Sequence, residues 1–447
     1  MNHSQKIHSI RAEDLKITNL GSCLIPSPIN ALFKEDLGEL RFISDEDRVV
    51  FNDHILEMNA LCARGEEIPS LELAGPRKNI YFDPAQSRCA IVTCGGLCPG
   101  LNDVVRGLVM QSYYRYGIQK IYGVPYGYEG FIAKYGHTAR KLLPEDVADI
   151  QHLGGSILGT SRGDQDIGEI VNWLEDHQVN ILFVVGGDGT LRGASDICKE
   201  IEKRGDKIVV VGIPKTIDND IMWIDKSFGF DTAFTAAAES IRSAHVEALG
   251  VYNGIGLVKL MGRESGFITC NAALAMSYVN AVLIPEVPFQ LHGDNGFLEW
   301  LHKRIDRRHH AVIVIAEGAG QELFEGERGK DASGNVKFHD IGVFLKKKIE
   351  EYFKSIHMPV YMKYFDPSYL IRSVPAAPKD SMFCSRLAQN AVHAAMCGKT
   401  NVLIGRWKMN FVHLPIPLVT AGRNRVDPNG DLWLSVLEST GQPFDFK

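Results

Sequence analysis

The sequence predicts an α/β protein with mainly parallel sheets, and three observations carry that prediction. Seven short apolar, β-branched-rich runs recur between Ala90 and Ile404, continuous rather than alternating, as strands buried on both faces require. Segments of helical length and spacing, such as Asp166 to His177 and Thr232 to Leu249, lie between them. Glycine-rich or charged loops follow the runs, and open parallel sheets bind ligands beyond the carboxyl ends of their strands. Those loops are where function is expected.

A chain of 447 residues is long for one core, so two domains are expected, with an arm over residues 1–80 where short apolar pieces mix with acidic turns and proline breaks. Hydrophobic residues at 45% and charged residues at 23% are ordinary for a globular protein, so no disordered region is expected. The net charge of -6 argues against nucleic acid or an anionic membrane as the main partner, while leaving room for a local basic pocket. The 9 cysteines show no paired Cys-x-x-Cys spacing, and the histidines show no metal-ligand spacing, so reduced thiols and no zinc are expected. Met1 to Lys6 lacks the apolar stretch of a signal peptide, and no apolar run is long enough to cross a bilayer. A cytoplasmic protein is the expectation.

The first run, Ala90 to Thr93, leads into Cys94-Gly95-Gly96-Leu97-Cys98-Pro99-Gly100-Leu101-Asn102. Its glycines let backbone approach a ligand, and the following helix presents free N–H groups to an anion, although any strand-to-helix turn can hold glycines. Gly154 to Gly163 is a polar loop whose Arg162 suits a bidentate phosphate contact; a solvated loop is the equal alternative. The second run, Ile181 to Val185, is followed by Gly186-Gly187-Asp188-Gly189-Thr190. An aspartate among glycines would repel bare pyrophosphate, so a divalent metal between Asp188 and phosphate oxygens makes sense of it. The loop is not the dinucleotide fingerprint, since its last glycine falls one place late, and Gly398-Lys399-Thr400 lacks the leading glycine of a Walker loop.

The run Ile208 to Val211 breaks at Gly212-Ile213-Pro214 and delivers Lys215-Thr216-Ile217-Asp218-Asn219-Asp220. Carboxylates two apart can serve as a base and its orienting partner, while Lys215 and Thr216 supply donors to anionic oxygens. Taken alone, the stretch fits an acidic turn equally well. After Ile255 to Leu260 comes Met261-Gly262-Arg263, where a salt bridge is the ordinary explanation for the arginine. The run Ala281 to Ile284 is uninformative, and Val312 to Ile315 ends at Glu317, a carboxylate able to accept from a sugar hydroxyl. Lys303 to His310 is taken as a solvated helix face. Lys363, Tyr369 and Arg372 together can hold a phosphate monoester, though each singly reads as a surface group. Asn401 to Ile404 is the last run.

From about Ala74 to Val419, the Gly-Gly-Leu-Cys-Pro-Gly, Gly-Thr-Ser-Arg, Gly-Gly-Asp-Gly-Thr, Pro-Lys-Thr-Ile-Asp-Asn-Asp, Met-Gly-Arg and Glu-Gly motifs occur in an order that resembles the ATP-dependent 6-phosphofructokinases of the phosphofructokinase A family. The resemblance implies phosphorylation of the 1-hydroxyl of fructose 6-phosphate with Mg²⁺, on two Rossmann-like lobes with the active site in their cleft. It makes Asp218 the general base, with Thr216 and Asp220 beside it and Lys215 and Arg263 in the catalytic set. Gly95, Arg162, Gly187, Asp188, Gly189 and Thr190 would bind ATP, with Asp188 associated with the metal. Thr216, Asp218, Met261, Gly262, Arg263, Glu317, Lys363, Tyr369 and Arg372 would bind the sugar phosphate.

Two departures from the short members of the family matter. Lys215 replaces a glycine and in the family commonly accompanies pyrophosphate as donor, whereas Gly189 matches the ATP type; the pair resembles the long ATP-dependent subgroup. Gly254 stands where short members carry an arginine that reaches a neighbouring subunit's substrate. The resemblance also implies a homo-oligomer, tetramer or dimer, with allosteric control. The expected lobes are 81–232 with 373–410 for ATP, and 233–372 with 411–447 for fructose 6-phosphate. A pyrophosphate-dependent enzyme, a kinase for NAD or a lipid, and a sugar-phosphate-sensing regulatory subunit are the rivals; the last would be expected to have lost Asp218.

Overall fold

A computed structural model describes residues 10–32, 42–326, 329 and 336–447. The reading of Met1 to Lys6, and residues 33–41 of the expected arm, lie outside the described residues. Eleven strands form the two main sheets. In chain order they are β1 (Arg88–Thr93), β2 (Lys120–Val124), β3 (Arg140–Lys141), β4 (Ile181–Gly186), β5 (Val209–Pro214), β6 (Gly254–Leu260), β7 (Ala281–Leu283), β8 (His310–Ala316), β9 (Tyr361–Phe365), β10 (Val402–Trp407) and β11 (Asn410–Pro415).

The chain divides into two compact units. The first takes the described residues up to Thr216, then Ile221–Gly229 and Val374–Arg423. Its sheet runs β11-β10-β5-β4-β1-β2-β3, parallel except for β11 and β3 at the edges. Every residue of β4 and β5 is buried, which is why both read as unbroken apolar runs. The second unit takes Ile217–Asp220, Phe230–Ser373 and Asn424–Lys447. Its sheet, β7-β8-β6-β9, is wholly parallel, and β8 and β6 align over seven residues from Gly254↔His310 to Leu260↔Ala316.

The lobe boundaries and the helix face at Lys303 to His310 differ from the sequence expectation. Residues 411–423, expected in the second lobe, belong to the first unit, because β11 folds back on β10 as a hairpin with Leu403 opposite Leu414, whereas 217–220 and 230–232, expected in the first lobe, belong to the second unit. The turn is made by Lys408 and Met409, both at positive φ (47° and 69°), with the Asp225 carboxylate accepting both of their N–H groups at 3.0 Å. Such turns normally announce themselves with Asn-Gly or Asp-Gly, so the sequence hid this one. The described residues of the arm form no unit of their own. Thr18–Asn19 pairs antiparallel with Lys399–Thr400, Trp407 Nε1 donates to the Phe51 carbonyl at 2.9 Å, and the buried Lys399 ammonium pairs with Glu72 (2.8 Å) and Asp45 (3.0 Å). The basic run Lys303 to His310 is not one helix face. The helix is Phe297–Arg308, His309 caps it in the left-handed conformation, and His310 opens β8.

Candidate active site

In the first unit, parallel register does most of the positioning. Thr93 lies opposite Val185 and Pro214 opposite Gly186, so the loops after β1, β4 and β5 leave the same sheet edge side by side. The strand order reverses at β1, the place where such sheets bind ligands. The Gly95 N–H donates to the Ser161 carbonyl at 3.0 Å, which ties the exposed Arg162 and its loop to the first glycine loop. Lys215 is 6% exposed, and its ammonium donates to the Gly96 carbonyl at 2.8 Å. Gly95, at φ 84°, permits this approach, since a side chain there would start 3.0 Å from Lys215 Nζ.

Gly187 leads extended backbone into the helix Asp188–Arg204, whose N-terminal N–H groups point out of the sheet edge. Asp188 sits in the first turn, paired with Arg192 one turn on and with Arg423 at 3.8 Å. Gly189 is exposed and nothing lies within 4 Å of where a side chain would begin. Thr190 packs over Gly186, a glycine the sequence reading passed over, where an added carbon would meet the threonine side chain at 2.3 Å. Tyr128 Oη fixes that turn by donating to the Thr190 carbonyl at 2.8 Å. The chain leaves the first unit between Thr216 and Ile217 and returns after Asp220.

In the second unit the turn Asp218-Asn219-Asp220 is held from two directions. Ser265 Oγ donates to the Asp218 carbonyl at 2.9 Å, and the Asn424 N–H donates to the Asp220 carbonyl at 2.8 Å. Asn219 takes the left-handed conformation at φ 55°, which asparagine tolerates better than most residues. One carboxylate links the two supports: Glu286 Oε1 accepts from the Gly266 N–H (2.9 Å) and the Val426 N–H (2.8 Å). Burial raises the Glu286 carboxyl above the ordinary range despite these bonds.

The ends of β6, β8 and β9 gather the remaining candidates. Gly262, at φ 132°, turns the chain tightly; a side chain there would lie 2.6 Å from the Ser265 carbonyl oxygen. Met261 is half-buried beside it. Arg263 lies 4.2 Å over the Phe338 ring and donates to the Val336 carbonyl. Burial pushes the Glu317 carboxyl up, with Arg263, Lys259 and Arg372 opposing, so these cations cluster around it. Arg372 stacks 4.7 Å over Tyr369, which is 74% exposed. Lys363 does not join this group. It faces Glu247 at 3.4 Å and lines a cavity of about 630 Å³ with Arg242, Met362 and Phe365 along the edge strand β9.

Sequence reasoning missed Lys259, Ser265, Glu286 and Asn424. Lys259 is the lone charge in an apolar strand. Burial opposes its charge, but bonds to Asp366 (2.8 Å) and Asp340 (3.1 Å) outweigh that and hold the ammonium above its ordinary range. No signal in the sequence marks the other three.

Residues 88–395 match the family Phosphofructokinase. The chain is 48% identical over 441 residues to the ATP-dependent 6-phosphofructokinase of Borreliella burgdorferi, covering 97% of this chain and 98% of that one. To the ATP-dependent 6-phosphofructokinase of Amycolatopsis methanolica it is 46% identical over 445 residues, covering 98% and 97%. Among solved structures it is similar to a pyrophosphate-dependent phosphofructokinase from Marinobacter aquaeolei, with a TM-score of 0.65 over 79% of this chain and 91% of that one. At 18% identity, that likeness concerns the fold alone.

Proposed function

The chain belongs to the phosphofructokinase family, and from that premise we propose that it transfers the terminal phosphoryl group of ATP to the 1-hydroxyl of fructose 6-phosphate, with Asp218 as general base. The observation that carries the donor half is the convergence of Gly95, Gly187 and Gly189 at one sheet edge, around a helix N-terminus. Backbone there can approach phosphate oxygens closely, and the helix end favours their charge. Arg162, exposed and without a hydrogen bond or ion pair among the described residues, is available to the phosphoryl groups. Lys215 and Thr216 add donors on the first unit, where the open space at Gly189 supports a nucleotide rather than pyrophosphate.

On the second unit Asp218 takes the proton from the sugar 1-hydroxyl, and Asp220 orients that hydroxyl. Arg263, Tyr369 and Arg372 bind the sugar phosphate and Glu317 accepts from a hydroxyl, with Met261 and Gly262 shaping the wall. Phosphoryl transfer asks little covalent chemistry of a protein, so alignment and charge carry the rate. Asp188 fits a magnesium ion: it is one carboxylate at a helix N-terminus, and among the described residues there is no group of three or more acidic, His or Cys ligands that would suit an all-protein cage. Mg²⁺ held by Asp188 and the ATP phosphates would neutralise charge on the phosphoryl oxygens.

We place the protein in the cytoplasm as a homo-oligomer, dimer or tetramer, acting in glycolysis. No helix among the described residues is long and apolar enough to cross a membrane. A pyrophosphate-dependent reaction is the second reading, favoured by Lys215, whose ammonium is buried against the first glycine loop. Initial rates with fructose 6-phosphate and Mg²⁺ decide between them, comparing ATP with pyrophosphate on the native chain and on Gly189→Asp. Turnover with ATP alone, abolished by the substitution, is expected. Faster turnover with pyrophosphate would overturn the donor assignment and leave Asp218 in place.

A further inference from the structure

None of the nine cysteines is in a disulfide, and seven of them are buried. Cys62 is exposed, and Cys23, in the arm, is partly exposed. Cys23 differs from Cys62 in being held against a second cysteine. Its Sγ donates to the Cys397 carbonyl at 3.4 Å, and the Cys397 Sγ points to the Asn79 carbonyl at 3.9 Å. The chain around Cys23 is fixed on both sides. Before it, the Leu20 N–H donates to the Gly398 carbonyl at 2.9 Å; after it, Ile25–Pro26 pairs with Asn79–Ile80. The two thiols therefore converge on the same short ladder.

The two thiols are shifted in opposite directions. A hydrogen bond from the Cys397 thiol pulls Cys23 down to about 7. Burial and Asp45 act against that pull, and Lys399 and Arg77 reinforce it. Cys397 is driven well above its ordinary range, first by the same contact and then by burial. A thiolate is the nucleophile in thiol chemistry, so the partly exposed member of the pair is the one primed to attack.

We propose that Cys23 and Cys397 form a dithiol site that reacts with small-molecule disulfides, Cys23 attacking first and Cys397 closing an internal disulfide. In the first step the Cys23 thiolate bonds to one sulfur of the small disulfide, whose S–S bond breaks and releases one thiolate that takes a proton from water. In the second step Cys397 gives up its proton and attacks the Cys23 sulfur of the mixed disulfide, and the second small thiol leaves. The protein dithiol is oxidised by two electrons and the small disulfide is reduced to two thiols. The new bond would join positions 374 residues apart and pin the arm to the end of the helix Pro378–Met396.

The test incubates the full chain, folded, with oxidised glutathione, quenches with acid and maps peptides without reduction. A linked 23–397 peptide, reversed by dithiothreitol, is expected. Cys397→Ser should stop at glutathione on Cys23, and Cys23→Ser should leave Cys397 unreacted. Thermal melting checks that both variants are folded, and Cys62→Ser, which touches neither thiol, should form the link at the native rate. At pH 7, Cys23 should alkylate a few-fold faster in the folded than in the denatured chain, because a roughly 15-fold gain in thiolate is partly offset by lower nucleophilicity. Glutathione on Cys62 alone would overturn the proposal. A mixed disulfide that persists on Cys23 of the native chain, with no link formed, would overturn the role of Cys397.

Discussion

Replacing Asp218 with Asn removes a proton acceptor and leaves the turn that carries it, because both supports of that turn grip backbone. Ser265 holds the Asp218 carbonyl and the Asn424 N–H holds that of Asp220, neither through a carboxylate. Asp218→Asn is therefore expected to bind fructose 6-phosphate nearly as the native chain does, while turnover falls by about 10²–10⁴-fold, the usual worth of a positioned base. Steady-state rates alongside calorimetric titration of the sugar phosphate separate the two effects; near-normal turnover would remove Asp218 from the base's role. Single residues such as this were legible because strand-end loops expose chemistry that a core would not tolerate. Glu317 and Arg263 stand out in the sequence in that way. Lys259 was not, because in Ile255 to Leu260 it reads as one polar interruption of a buried strand. Its carboxylate partners Asp340 and Asp366 lie far along the chain, and only the fold brings them together.

At the scale of elements, the apolar runs became strands because parallel strands buried on both faces need no alternation. The strands that escaped notice lack that signature. β9, Tyr-Met-Lys-Tyr-Phe, is an edge strand with half-exposed residues, and β2 is interrupted by Gly123. The hairpin of β10 and β11 was hidden by Lys408 and Met409, which hold positive φ without glycine or asparagine. That conformation costs an L-residue roughly 1–2 kcal/mol. Met409 is 73% exposed, with its Sδ accepting weakly from Arg406 at 3.3 Å, so Met409→Gly should relieve more than that contact and the added chain entropy cost and raise the melting temperature; an unchanged or lower value would mean the strain is absent. Glu286 tests the opposite case, an element held by one side chain. Glu286→Ala leaves the Gly266 and Val426 N–H groups without an acceptor, at about 1–3 kcal/mol each, and should slacken the Asp218–Asp220 turn. Turnover should fall more than KM rises. Glu286→Gln, which keeps the accepting oxygen, should restore most of it, and failure of that rescue would point to the carboxylate charge instead.

For the whole chain, acid is the condition that most directly attacks the joint between arm and sheet. Glu72, from the arm, accepts from the buried Lys399 ammonium at 2.8 Å and lies 3.3 Å from His413 Nδ1 on β11. Burial, with Lys399 and Arg77 adding to it and Glu72 opposing, lowers His413 from 6.5 to about 4. Its imidazole therefore stays neutral in the folded chain at a pH where the unfolded chain already binds a proton. Stability is lost on that account as pH falls from about 6.5 towards 4. Glu72 acts in the next window. Burial would raise its carboxyl, but His413 and Lys399 prevail and lower it from 4.5 to about 2, so its contribution is present above 4.5 and disappears towards 2. Both groups push the same way, and each tenfold change in proton affinity on folding corresponds to about 1.4 kcal/mol of stability. The melting temperature should accordingly drop between pH 7 and pH 5, before Glu72 begins to titrate. His413→Asn, which keeps a donor towards Glu72 and removes the titrating ring, should make that first descent shallower, the remainder coming from the buried His393, lowered from 6.5 to about 3 in the same sense, and leave the fall below pH 4.5. A native chain whose melting temperature stays level from pH 7 to pH 5 would show that the buried histidine does not govern how the arm is held.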